Sequence, residues 1–201
     1  MHHRVREGAA VSILADSAIR AAIDRGDIVI DPMAPWAIGS NSVDLHLSRH
    51  LATIECDDHI TGTLTTEREQ KLHHFDIDDC FELLPGTLYL GSTVEWTSSG
   101  PYVPVLEGTS GAARLGISVH CTAGVGDLGF VGAWTLEITV VEPVIVFGGE
   151  PIAQLLFHIV QGKVEHPYDK KVGGSGYGAN RDPRPQASRM WRKRRWPEPS
   201  R

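Results

Sequence analysis

The chain has 201 residues, of which 41% are hydrophobic and 22% charged, and its formal net charge is −6. This is globular composition; it excludes a collagen, a coiled coil and a wholly disordered chain, and at this length one domain with appendages is expected, large enough to stand without disulfide or metal staples. The charge is uneven: residues 189–201 hold six basic side chains and one acid (+5), leaving −11 on the other 188 residues, which argues against a nucleic-acid-binding body.

In chain order, residues 1–12 read as a flexible polar leader, without the apolar core of an export signal. Asp16 is placed to cap a helix whose apolar positions Ile19, Ala22 and Ile23 recur at helical spacing, and Gly26 is placed to end it. A short strand over Ile28–Ile30 follows. Beyond Pro32 the pattern turns to short alternating or β-branched runs: Ser42–Leu47, Leu88–Trp96, Gly116–Cys121, Trp134–Val141, Val144–Phe147 and Ile152–Ile159. Pro85-Gly86, Ser99-Gly100-Pro101 and Gly148-Gly149 punctuate them. The expectation is a mainly antiparallel β domain over 13–168 with one short N-terminal helix.

Residues 169–189, rich in glycine, have little to bury; they read either as a disordered linker or as a flap that orders over a ligand. Residues 190–201 form a basic tail with interleaved Trp191 and Trp196, read as solvated. The longest apolar stretch, Ile138 to Phe147, is broken by Glu142 and Pro143 and is too short to span a bilayer, so no membrane partner is expected. Cys56, Cys80 and Cys121 are odd in number and lack CxxC spacing, which points to the reducing cytoplasm rather than to a zinc cluster or a disulfide framework.

Three segments can carry chemistry. In Glu107-Gly-Thr-Ser-Gly-Ala-Ala-Arg114, small residues let backbone N–H groups approach a ligand and Arg114 offers a charge suited to phosphate. In His120-Cys-Thr-Ala-Gly-Val-Gly-Asp-Leu-Gly-Phe130, glycines flank the carboxylate of Asp127, whose ordinary use is a turn. His120 is expected to be a hydrogen-bonded core histidine, since no second ligand follows at metal spacing. In the third segment, alternation puts Trp134, Leu136, Ile138 and Val140 on one face and Thr135, Glu137 and Thr139 on the other. A strand carboxylate commonly faces solvent; inside a cleft, desolvation would make it a base usable near neutral pH. Spacing leaves both readings open.

Together with Ile13-Leu-Ala-Asp16, Ser42-Val-Asp-Leu45 and Phe81-Glu-Leu-Leu-Pro-Gly86, these segments fall in an order and spacing that resemble the dCTP deaminases of the dUTPase superfamily, over about residues 13–189. The resemblance implies a distorted β-barrel or jelly-roll subunit in a homotrimer with shared active sites. It implies a metal-free hydrolytic deamination of a deoxycytidine nucleotide, dCTP to dUTP or onward to dUMP and diphosphate, with Mg2+ carried on the triphosphate and no zinc. Glu137 then matches the proton shuttle, with Ser110 and Arg114 beside it as catalytic residues of the phosphate and water loop. Thr109, Gly111, Ala112, Ala113, Thr122, Ala123, Thr135 and Leu136 match substrate-binding positions. So do Asp127 at the sugar 3′-hydroxyl, Gln154, Tyr168 and Asn180, and residues 169–189 match a C-terminal flap.

The inventory agrees with that chemistry. Water must attack C4 of cytosine while a proton reaches N3 and ammonia leaves. The zinc deaminases' H-x-E and P-C-x-x-C pattern is absent, so one carboxylate with hydroxyl and backbone donors has to do this work. The chain departs from the family at Thr109 (usually Arg), Gly111 (Ser), Gly176 (Lys) and Asn180 (Gln), which bears on the number of phosphates gripped. Gly124 resembles the bifunctional, dUMP-forming members. Two other readings are a dUTPase-like hydrolase, which usually has Tyr where Phe130 stands, and a nucleotide-binding homologue without activity.

Overall fold

The computed structural model describes residues 12–55, 64–168 and 182–190. Residues 1–11 of the leader, residues 56–63, most of the flap with Gly176 and Asn180, and all but Met190 of the tail lie outside the described residues. The chain begins with helix α1 (Asp16–Asp24), whose Ile19 and Ala22 are buried. Its N-cap is Ala15, with no side-chain cap hydrogen bond, so Asp16 does not cap the helix as expected. It is the first helical residue, where its negative charge still complements the helix dipole. Gly26 follows the C-cap residue Arg25 and donates to the Ile23 carbonyl at 2.9 Å, ending the helix where the sequence places its end.

Strands make up most of the rest: β1 (Val29–Asp31), β2 (Val43–Ile54), β3 (Leu72–Asp76), β4 (Phe81–Leu83), β5 (Tyr89–Thr93), β6 (Trp96–Ser98) and β7 (Tyr102–Gly108) precede a one-turn helix, α2 (Ser110–Arg114). After it come β8 (Ile117–Ser118), β9 (Val131–Gly132), β10 (Thr135–Val140), β11 (Val144–Val146) and β12 (Pro151–Ile159). Among the described residues the main sheet runs β7-β12-β2-β5-β10-β8, with β3 on the far half of β2; β1-β6-β9 and β11-β4 form smaller sheets. All these pairings are antiparallel, as the alternating runs require. One core fills the interior, with Leu45 and Leu47 of β2, Leu136 and Ile138 of β10, and Leu155 and Phe157 of β12 fully or almost fully buried.

Several boundaries differ from the local pattern for identifiable reasons. β2 continues seven residues past Leu47, because a register shift between Leu47 and Leu51 tucks Ser48 inward, where its hydroxyl meets that of Ser92 at 2.7 Å. The run Leu88–Trp96 splits between two sheets at Glu95. That residue is only 2% exposed, and its carboxylate accepts from the His46 N–H at 2.9 Å and meets the His46 ring at 2.5 Å. The local pattern does not mark β7, because Pro104 interrupts it; at the end of the sheet order it tolerates a missing N–H. No helix among the described residues is long and apolar enough to cross a membrane.

Candidate active site

Glu137 lies on β10, whose alternation sends Leu136 and Ile138 into the core and leaves Glu137 half-buried on the opposite face. Its backbone N–H donates to the Val119 carbonyl at 2.9 Å, so residues 119–121 run beside β10 past the formal end of β8. This alignment brings the Cys121 N–H to 3.3 Å from Oε2 of Glu137. The carboxylate therefore lies next to the residue that precedes the exposed Thr122-Ala123 segment.

The glycines after this segment are required by close approach. The Gly124 carbonyl accepts from the Leu106 N–H at 2.7 Å, and a Cβ on Gly124 would lie 2.6 Å from the Leu106 carbonyl oxygen. A Cβ on Gly126 would meet the Trp134 ring at 2.4 Å. Small residues are thus what allow residues 124–126 to lie along the edge of β7, where Gly126 also donates to the Pro104 carbonyl at 2.8 Å.

Asp127 then opens a turn closed by the Phe130 N–H on its carbonyl at 3.1 Å, and its side chain is exposed. Tyr168 is held at this turn: its N–H donates to the Leu128 carbonyl at 2.8 Å, and its ring stands edge-on to Phe130 at 5.7 Å. Phe130 in turn packs on Trp134 at 4.6 Å. Glu137 is thus tied to Cys121, and the chain runs on from there through Thr122, Ala123 and Asp127 to the turn that holds Tyr168.

The segment expected to bind phosphate is a separate feature, hung from β12. Thr109 caps α2: its hydroxyl accepts from the Ala112 N–H at 3.3 Å and donates to the Pro151 carbonyl at 3.1 Å, while its own N–H donates to Ile152 at 3.1 Å. Ala112 is buried and anchors the turn, whereas Ser110, Gly111, Ala113 and Arg114 are exposed. The Arg114 guanidinium donates to the Ser110 carbonyl at 3.1 Å, which keeps it folded over the turn. The hydrogen bonds of this turn run to β12, whereas those of Glu137 run to residues 119–121.

A family model described as dCTP deaminase-like matches residues 13–160. The chain belongs to the dCTP deaminase-like family. Among its relatives, the dUMP-forming dCTP deaminase of Clostridium acetobutylicum is 39% identical over 153 residues, covering 76% of this chain and 86% of that one. The dUMP-forming dCTP deaminase of Cytophaga hutchinsonii is 41% identical over 141 residues, 70% of this chain and 79% of that one. The fold is also similar to the 2′-deoxycytidine 5′-triphosphate deaminase of Agrobacterium tumefaciens, with TM-score 0.56 and 20% identity. That match covers 75% of this chain, which spans about half (48%) of the other.

Within this dCTP deaminase-like domain, the remaining expected residues have these places. Leu136 is fully buried and supports Glu137 from the core side. Thr135 lies on the face of Glu137, and its hydroxyl accepts from the Gln186 N–H at 3.2 Å, so the described end of the chain reaches the edge of the site. The Gln154 side chain is held between Ser42 and the Gly108 carbonyl. Asn180 lies outside the described residues.

The Cys121 N–H as partner of Glu137 has no sequence signal, since any residue supplies an N–H. The half-buried His120 meets Glu107 through Nε2 at 3.3 Å, while its Nδ1 is buried without a partner. Among the described residues no group of three or more His, Cys, Asp or Glu is arranged to hold a metal ion.

Proposed function

We propose that this chain hydrolytically deaminates a deoxycytidine nucleotide, dCTP foremost, and carries it through to dUMP. The observation that carries the reading is the half-buried Glu137 carboxylate, oriented by the Cys121 N–H next to the exposed Thr122-Ala123 segment. In the first step Glu137 takes a proton from water as its oxygen adds to C4, and delivers it to N3. Glu137 then carries the adduct's hydroxyl proton to the amino group, and as the C4 carbonyl forms the C4–N bond breaks and ammonia leaves, giving the uracil nucleotide. Backbone groups at 122–123 read the base edge, Asp127 holds the sugar 3′-hydroxyl, Tyr168 lies beside it, and Ser110 and Arg114 hold water and phosphate. A second water then cleaves between the α- and β-phosphates, releasing diphosphate. Gly124 and the names of the dUMP-forming relatives support this second step.

Mg2+ enters as the counter-ion of the triphosphate, and the deamination needs no zinc. The working unit is a homotrimer whose sites combine the phosphate turn of one subunit with the Glu137 region of another. Supporting this, Leu115, Val125 and Val141 are 62%, 70% and 71% exposed. The protein works in the cytoplasm, where thiols such as the free, exposed Cys80 and Cys121 stay reduced. Nucleic acid and membranes are not among its partners.

The test is product analysis by mass. The protein is incubated with dCTP, dCDP, dCMP, CTP and dUTP in excess Mg2+. Ammonia, dUMP and diphosphate from dCTP are expected. Accumulation of dUTP as the sole nucleotide product would rule out the second step, and hydrolysis of dUTP with no action on any cytosine nucleotide would rule out the first.

A further inference from the structure

We propose that Ser42 and Gln154 are positioning residues: a hydroxyl–amide relay from the start of β2 that sets the backbone entering the turn of Ser110 and Arg114. The inference rests on reading that turn as the phosphate-holding part of a deoxycytidine nucleotide site. Its basis is a pair of hydrogen bonds that use both ends of one amide. Nε2 of Gln154 donates to the Gly108 carbonyl at 3.3 Å, and the Ser42 hydroxyl donates to Oε1 at 3.1 Å. The amide orientation is forced, because the Gly108 carbonyl can only accept and must face the NH2 group. Oε1 then faces Ser42, which is 8% exposed and so has little access to water as an alternative partner.

The relay acts where position matters. Gly108 immediately precedes Thr109, whose N–H and hydroxyl are fixed to Ile152 and Pro151. The strand that holds these groups is β12, so three successive attachments along it define how the chain leaves β7 and enters α2. Gln154 lies in register with Asp44 on one side and Glu107 on the other, at the centre of the three paired strands. Ser42 itself is pinned, since its carbonyl accepts from the Gly39 N–H at 2.9 Å. This gives the first residue of the Ser42-Val-Asp-Leu45 motif a task that the resemblance leaves unassigned, and gives Gln154, which matches a substrate-binding position, a further task as a support of the turn.

The experiment compares full-length Ser42→Ala, Ser42→Thr, Gln154→Ala and the Ser42→Ala/Gln154→Ala double variant. Steady-state deamination of dCTP and calorimetric binding of inorganic diphosphate are measured, with thermal melts as a folding check. Removing either partner is expected to raise KM for dCTP and the diphosphate Kd about tenfold, with kcat held within about threefold. The double variant should be no worse than Gln154→Ala alone, and Ser42→Thr should restore the wild-type values. A harmless Ser42→Ala beside a damaged Gln154→Ala would overturn the relay, because Gln154 would then be acting alone on the nucleotide. Additive losses, or a lowered melting temperature with KM and Kd unchanged, would overturn it too. A wild-type protein that binds diphosphate in a relay-dependent way but leaves dCTP intact would remove the deaminase reading and keep the relay. Absence of diphosphate binding by a wild-type protein that still deaminates dCTP would remove the relay and keep the deaminase reading.

Discussion

The backbone N–H of Cys121 points at Oε2 of Glu137 from 3.3 Å. A main-chain donor cannot rotate away, so the carboxylate is held in one orientation while its other oxygen is left for a water or a base. Replacing Glu137 with Gln preserves an acceptor for Cys121 but removes the ability to take a proton. Ammonia release from dCTP by Glu137→Gln should fall at least about 100-fold, with an unchanged melting temperature. Wild-type turnover in a folded variant would take Glu137 out of the proton-shuttle role.

Gly126→Ala should destabilise the domain. Its Cβ would arrive 2.4 Å from the Trp134 ring, which cannot retreat easily because its Nε1 donates to Thr97 at 2.9 Å and its face packs on Phe130. Overpacking of this kind costs about 1–3 kcal/mol. Urea denaturation reads the loss directly, and a midpoint equal to that of the wild type would mean the 124–126 segment shifts freely.

Thr109→Ala removes both the cap of α2 and the bond to the Pro151 carbonyl, whereas Thr109→Ser keeps the hydroxyl. The alanine variant should lose about 1 kcal/mol and the serine variant much less. The same urea experiment ranks the three proteins. Equal losses in both variants would assign the effect to the methyl group rather than to the cap.

Burial holds the Asp44 carboxyl above its ordinary value of 3.8, and His46 nearby pulls it partly back. The folded state therefore binds this proton more tightly than the unfolded chain does. The contribution of Asp44 to stability is fully present below pH 3.8 and is lost as pH rises through the raised folded value. Asp44→Asn, which carries no charge at any pH, should be more stable than the wild type at neutral pH. That advantage should shrink as pH falls toward 3.8. Urea midpoints at several pH values test this; a gap that does not change with pH would contradict it.

Zinc-selective chelation in the presence of excess Mg2+ should leave the deamination rate unchanged, since the proposed reaction uses a carboxylate as its only proton carrier. Activity lost to the chelator and restored by zinc alone would contradict the mechanism.

Local pattern was enough for some of these features and blind to others. Strand period 2 alone puts Glu137 on the face opposite Leu136 and Ile138, and the burial along β10 follows it. The ordered motifs from Ser42-Val-Asp-Leu45 to Thr135-Leu-Glu137 identify the family, because each residue type is read in its own segment. The split between β5 and β6 is different: it depends on Glu95 meeting His46, 49 positions earlier. The relay joins Ser42 to Gln154 across 112 positions, and α2 hangs on carbonyls of a strand that follows it by about forty residues. Such partners are chosen by the register between strands, which the whole core sets at once by burying Leu45, Leu136 and Leu155 together. The sequence by itself determined which residues could do the chemistry and on which face of a strand they stand. Only the tertiary structure decided which N–H orients Glu137 and what Gln154 holds, because backbone donors and carbonyls carry no residue identity and become specific only through their place in the sheet.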